Sequence, residues 1–88
     1  MKDEKYFVYI LQSLKTKRFY IGSTSNLLKR LDFHNKGLQR YTKRDKPWEL
    51  VYWEEFKNKK EALLREREIK SKKSRKFIEN LIKKKNGE

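Results

Sequence analysis

Glu66 is the residue whose type and position most need an explanation. Asn58 followed by Glu61 resembles a capping box and predicts a helix through about Lys70. On a wheel of about 100° per residue with Ala62 at zero, Ile69 falls near 340°, Leu63 near 100° and Glu66 near 40°. Glu61 and Glu68 fall roughly opposite, near 260° and 240°. Of the three carboxylates in this helix, Glu66 alone points toward the apolar sector. That placement costs free energy unless the carboxylate is paired or binds a cation. An internal salt bridge to one of the many Lys and Arg residues answers the problem as well as a bound cation does.

Arg30 and His34, four residues apart, stack along one edge of a helix whose apolar stripe is Leu27, Leu28 and Leu31. Both are expected at the boundary between core and solvent, where together they make a small anion site. A lone edge histidine more commonly packs or hydrogen-bonds. Tyr9 and Tyr20 fall on strand-forming runs, by default packed aromatics with a wet hydroxyl. The segment Arg40-Tyr41-Thr42-Lys43-Arg44 through Trp48 interleaves cations with aromatics, a pattern that tracks a phosphate backbone and stacks a base. The plainer reading is a solvated loop with Trp48 closing the core, and for Trp48 it is the favoured one.

The elements that must hold these residues follow from periodicity. Tyr6–Leu11 and Phe19–Gly22 are short apolar runs rich in strand formers, joined by a polar loop over 12–18. Ser23 to Asn26 offers N-caps and Gly37 a stop, predicting a helix over 26–36. Residues 39–47 read as a basic loop, 49–56 as a third strand, and Ser74 to Lys84 as a last helix with Phe77, Ile78, Leu81 and Ile82 on one stripe. Residues 83–88 are expected to fray. The order is ββαβαα: a single α/β (α+β) domain over 1–88, with a small three-stranded antiparallel sheet flanked by helices.

Composition limits the chemistry. With 42% charged residues the chain would suggest disorder if its apolar residues were scattered, and they are not. Its net charge is +13, and both halves are basic. Such a field attracts polyanions, with nucleic acid the first candidate. The chain has no Cys, excluding thiolate zinc sites and Cys nucleophiles, and one His, excluding His-rich metal clusters. Its three glycines form neither a Walker loop nor a dinucleotide fingerprint. No apolar run approaches spanning length and the first residues lack a signal-peptide core, so the expected compartment is cytoplasmic, with no membrane role.

Val8-Tyr9-Ile10, with Tyr20-Ile21-Gly22 following eleven residues after the first tyrosine, resembles the paired motifs of the GIY-YIG nuclease superfamily. The resemblance continues through Ser23-Thr24, Lys29-Arg30-Leu31, His34-Asn35, 47–52 and 62–70, spanning about residues 6–82. Each motif alone is weak; the ordered set is specific. The chain is most similar to the small stand-alone bacterial members, and also to the catalytic domains of intron-homing endonucleases and of the excision-repair incision subunit.

This resemblance implies metal-dependent hydrolysis of a phosphodiester, with DNA as the expected partner. By motif, Glu66 matches the ligand of one divalent ion, Mg²⁺ or Mn²⁺, and Arg30 the arginine that steadies the scissile phosphate. Tyr9 matches the general base toward water, Tyr20 the second tyrosine, and His34 a histidine of part of the family. Ser23, Lys29, Arg40, Lys43 and Arg44 are the candidate nucleic-acid contacts. The chain departs from the pattern at Val8, where glycine is common, and at Ser23, where some relatives carry a lysine able to help deprotonate a tyrosine. Two other readings share this composition. One is a basic binding module that cuts nothing. The other is a subunit active only with a protein partner or as a homodimer, since larger relatives target substrates through appended domains.

Overall fold

The computed structural model describes residues 5–87. Strands β1 (Tyr6–Ser13) and β2 (Phe19–Thr24) precede helix α1 (Leu27–Asn35). A 3-10 turn over Lys43–Asp45 leads into β3 (Trp48–Phe56), followed by α2 (Lys59–Ser71) and α3 (Arg75–Lys85). The fold is the expected α+β arrangement, ββαβαα.

β1 is the central strand of a β2-β1-β3 antiparallel sheet. It pairs from Phe7↔Thr24 to Gln12↔Phe19 on one side and from Tyr6↔Phe56 to Ser13↔Trp48 on the other. Its continuous apolar run follows from burial on both faces, where an outer strand would alternate. Val8 and Ile10 face α2 and α3, packing with Tyr52, Ala62, Ile69 and Ile78. Tyr9 and Leu11 face the other way, packing with Trp48, Tyr20, Leu27 and Leu31. Ile10 opposes Tyr52 while Leu11 opposes Leu50, so Val51 is an extra residue in β3. This bulge keeps Tyr52 and Leu50 on opposite faces of the sheet.

Each helix starts where a side chain satisfies an orphan amide. Asn26 Oδ1 accepts from the Lys29 amide at 3.0 Å, Asn58 Oδ1 from Glu61 at 2.9 Å and Ser74 Oγ from Phe77 at 3.1 Å. Such caps contribute about 1 kcal/mol each.

Several sequence expectations need correction. β1 runs two residues beyond Leu11, because buried Ser13 turns the chain: its hydroxyl accepts from the Lys15 and Thr16 amides and donates to the Asp45 carbonyl. Leu28 is 75% exposed and leaves the α1 stripe to Leu27 and Leu31. α3 continues through Lys85 instead of fraying at 83, since the Lys85 ammonium lies over the Trp53 ring and donates to the Trp53 carbonyl. The 39–47 segment is not a fully solvated loop, for Thr42 and Asp45 are buried and Trp48 Nε1 donates to the Thr42 carbonyl at 2.9 Å. Trp48 closes the core as expected. Among the described residues no helix is long and apolar enough to cross a membrane.

Candidate active site

Tyr9 projects from the α1 face of β1, directly opposite Gly22 on β2. A Cβ at Gly22 would meet the Tyr9 Oη at 2.6 Å, so the absence of a side chain there lets the phenol lie across β2. Tyr20 lies on the same face, its ring centroid 6.3 Å from that of Tyr9 and 4.8 Å from the His34 imidazole. The Tyr9 Oη is 3.1 Å from His34 Nε2, and His34 Nδ1 is 2.8 Å from Thr42 Oγ1. Gln39 Nε2 reaches the Tyr20 hydroxyl at 3.5 Å.

His34 does not sit at the edge of the core. It is fully buried, 0% exposed, held between the tyrosines and Thr42. Burial, with the Arg30 charge added to it, lowers its pKa to about 4. Burial first, and then the neighbouring Tyr20, pushes the Tyr9 phenol well above the usual tyrosine range. The Arg30 and Glu66 charges also act on that phenol, Arg30 lowering its pKa and Glu66 raising it. Arg30 lies over the Phe33 ring at 5.1 Å, and among the described residues it has no carboxylate within ion-pair distance.

Glu66 comes from the opposite face, where α2 packs on β1 and β2. Its side chain is only 16% exposed, in keeping with the inward placement on the wheel. Ser23 Oγ donates to Oε1 at 2.8 Å and Lys70 Nζ to Oε2 at 2.7 Å. The internal salt bridge thus exists, with a lysine whose own side chain is 52% exposed. Ser23 and Ile21 face α2 because β2 alternates, while Tyr20 and Gly22 face α1.

A hard divalent cation takes oxygen ligands and commonly keeps several waters with one or two carboxylates. Among the described residues no group of three or more His, Asp or Glu side chains could form a full protein cage. Glu66 fits the sparser arrangement: a single carboxylate, part-exposed, oriented by a hydroxyl, with a half-exposed ammonium as its other partner.

The remaining candidates divide between surfaces. Ser23 is turned onto Glu66. Exposed Lys29 lies beside Arg30 and Lys36 in a concavity of about 480 Å³ at the start of α1. Arg40, Lys43 and Arg44 join Arg18 and the exposed Tyr41 around a separate concavity of about 420 Å³. Sequence reasoning overlooked Thr42 and Lys70 as partners of site residues. Lys70 carried a signal, standing four residues after Glu66. Thr42 carried none, because a loop has no periodicity to read.

A family profile described as the GIY-YIG catalytic domain matches residues 5–86. The chain belongs to the GIY-YIG family. This GIY-YIG domain is 48% identical over 65 residues to a UPF0213 protein of Clostridium perfringens, covering 73% of the chain and 69% of that relative. A UPF0213 protein of Staphylococcus haemolyticus is 44% identical over 68 residues, covering 76% and 82%. UPF0213 protein YazA of Bacillus subtilis is 35% identical over 83 residues, covering 90% and 83%. No solved structure matches the chain. Membership supports a nuclease-type function with nucleic acid as substrate.

Proposed function

We propose that this GIY-YIG domain is a divalent-metal-dependent DNA endonuclease that hydrolyses phosphodiester bonds. The observation that carries the reading is the packing of Tyr9, Tyr20 and His34 against one another on one face of the sheet, with Arg30 on the helix that carries His34 and Glu66 held by Ser23 of β2 on the opposite face. A protein that only bound polyanions would need the surface cations and not the buried Tyr9–His34 pair.

Glu66 is the residue that would hold Mg²⁺ or Mn²⁺, and the bound ion would supply Lewis-acid stabilisation of the leaving oxygen. Arg30 binds the scissile phosphate: its guanidinium has no competing carboxylate among the described residues, and its donors match phosphoryl oxygens. Tyr9 is the base. A free phenolate is disfavoured in so buried a site, so Tyr9 accepts the proton of an attacking water as its own hydroxyl proton moves to His34 Nε2. His34 is neutral at pH 7, with a pKa of about 4, so its lone pair is available. The burial that favours a neutral tyrosine and a neutral histidine also returns the proton after turnover. Tyr20 packs on the imidazole and orients it.

Lys29 extends the phosphate contacts beyond Arg30, and Arg40, Lys43 and Arg44 form a second anionic-backbone surface. On this reading contacts are mainly to phosphate and sequence preference is modest. The test is cleavage of end-labelled single-stranded, duplex and forked DNA by wild type, Tyr9→Phe and Arg30→Ala. The reading expects metal-dependent cutting by wild type. It also expects losses of about 100-fold or more in both variants, the scale of a general base or a charge clamp. Full activity in Tyr9→Phe would remove Tyr9 from the base role.

A further inference from the structure

We propose that Thr42 is a positioning residue that fixes His34 as the Nδ1–H tautomer, leaving Nε2 bare toward the Tyr9 hydroxyl. The inference rests on the relay proposed for Tyr9 and His34, and it adds the residue that sets the direction of that relay.

The geometry forms a chain of four groups. Tyr9 Oη lies 3.1 Å from His34 Nε2, His34 Nδ1 lies 2.8 Å from Thr42 Oγ1, and Thr42 Oγ1 lies 3.3 Å from the Gln39 carbonyl. His34 is 0% and Thr42 1% exposed, so water does not replace the contact between the imidazole and the Thr42 hydroxyl. The far end sets the direction. A carbonyl only accepts, so the Thr42–Gln39 bond uses the single Thr42 hydroxyl proton, and with that bond made the Thr42 oxygen accepts from Nδ1–H. Nε2 then carries the lone pair and accepts from Tyr9. In the reverse arrangement Nε2–H donates to Tyr9, and the Tyr9 hydroxyl proton has no acceptor among the described residues, a costly state for a buried phenol.

The turn that carries Thr42 is held firmly. The Gln39 carbonyl also accepts from the Thr42 and Lys43 amides at 3.1 and 3.0 Å, and Trp48 Nε1 binds the Thr42 carbonyl. A neutral imidazole with both nitrogens partnered has its tautomer set by the partner of the other nitrogen. Thr42 supplies that partner from the basic loop, directly between Tyr41 and Lys43.

Because His34 is the only histidine, one imidazole spin system reports the tautomer in ¹⁵N-labelled, untagged protein. Long-range ¹H–¹⁵N correlation is expected to show Nδ1 protonated and Nε2 bare in wild type. Thr42→Val keeps the side-chain shape and removes the acceptor, and its imidazole should move toward Nε2–H. Thr42→Ser should restore the wild-type pattern. In cleavage assays Thr42→Val should lower kcat about ten-fold or more with KM unchanged, and Thr42→Ser should recover it.

An Nε2–H imidazole in wild type overturns the proposal even if the valine variant does not fold. An unchanged Nδ1–H pattern in folded Thr42→Val also overturns it, whereas an altered tautomer with unaltered kcat supports the lock and removes His34 from the relay. If wild type shows Nδ1–H and yet cuts no DNA, the tautomer lock stands and the nuclease reading fails.

Discussion

At the scale of single residues, each site group is explained by what surrounds it. Glu66 is acidic on an apolar sector because Ser23 and Lys70 occupy its two oxygens, leaving a carboxylate oriented and ready to exchange one partner. If Glu66 holds the divalent ion as proposed, the Lys70 ammonium and that ion would compete for Oε2. Lys70→Gln is therefore expected to lower, about three-fold or more, the Mn²⁺ concentration that half-saturates the protein in a calorimetric titration. An unchanged or weaker titration would mean that Lys70 does not oppose the metal. The Glu66 placement was legible from helical angles alone, and its lysine partner from the four-residue spacing. The burial of His34 was not. A wheel gives the direction of a side chain but not how deep the helix lies, and here the rings of Tyr9, Tyr20 and Phe33 enclose the imidazole.

At the scale of elements, the site depends on two strands and a turn. β1 places Tyr9 and the core residue Val8 on opposite faces in consecutive positions, and β2 does the same with Gly22 and Ser23. Gly22 matters because the phenol occupies the space its side chain would take. Gly22→Ala should displace the Tyr9 ring and reduce cleavage about 100-fold, in line with the cost of a misplacement of about 1 Å. Circular dichroism should remain that of a folded protein. Full activity in that variant would show that the Tyr9 hydroxyl is not held where the account requires. Strands, helices and caps were readable because periodicity and cap chemistry are local. The 39–47 segment was readable only as basic and polar, for its inward residues, Thr42 and Asp45, answer to tertiary contacts with His34 and Ser13 that no periodicity announces.

For the whole molecule, net charge and buried titration have separate consequences. On the proposed reading, a chain of net charge +13 would hold DNA mainly through phosphate contacts. Affinity should fall roughly 100-fold between about 50 and 200 mM salt, and a flat dependence in a filter-binding series would contradict that. His34 links stability to pH. Its folded pKa of about 4 lies below the ordinary value of 6.5, so the unfolded chain binds the proton more readily. The neutral histidine's contribution is complete above about pH 6.5 and is lost as pH falls toward 4, by on the order of 3 kcal/mol. Urea midpoints of wild type should drop across that window more steeply than those of His34→Gln. Parallel slopes would show that His34 is not held neutral.

The central claim is that Glu66 holds the divalent ion for phosphodiester cleavage. The most direct measurement is a cleavage time course on end-labelled DNA in Mg²⁺, Mn²⁺ or EDTA, with wild type and identically purified Glu66→Gln side by side. The account predicts cutting by wild type in either metal and none in EDTA. It also predicts a loss of about 1,000-fold or more in Glu66→Gln with DNA binding retained. Equal metal-dependent cutting by the two proteins would contradict it.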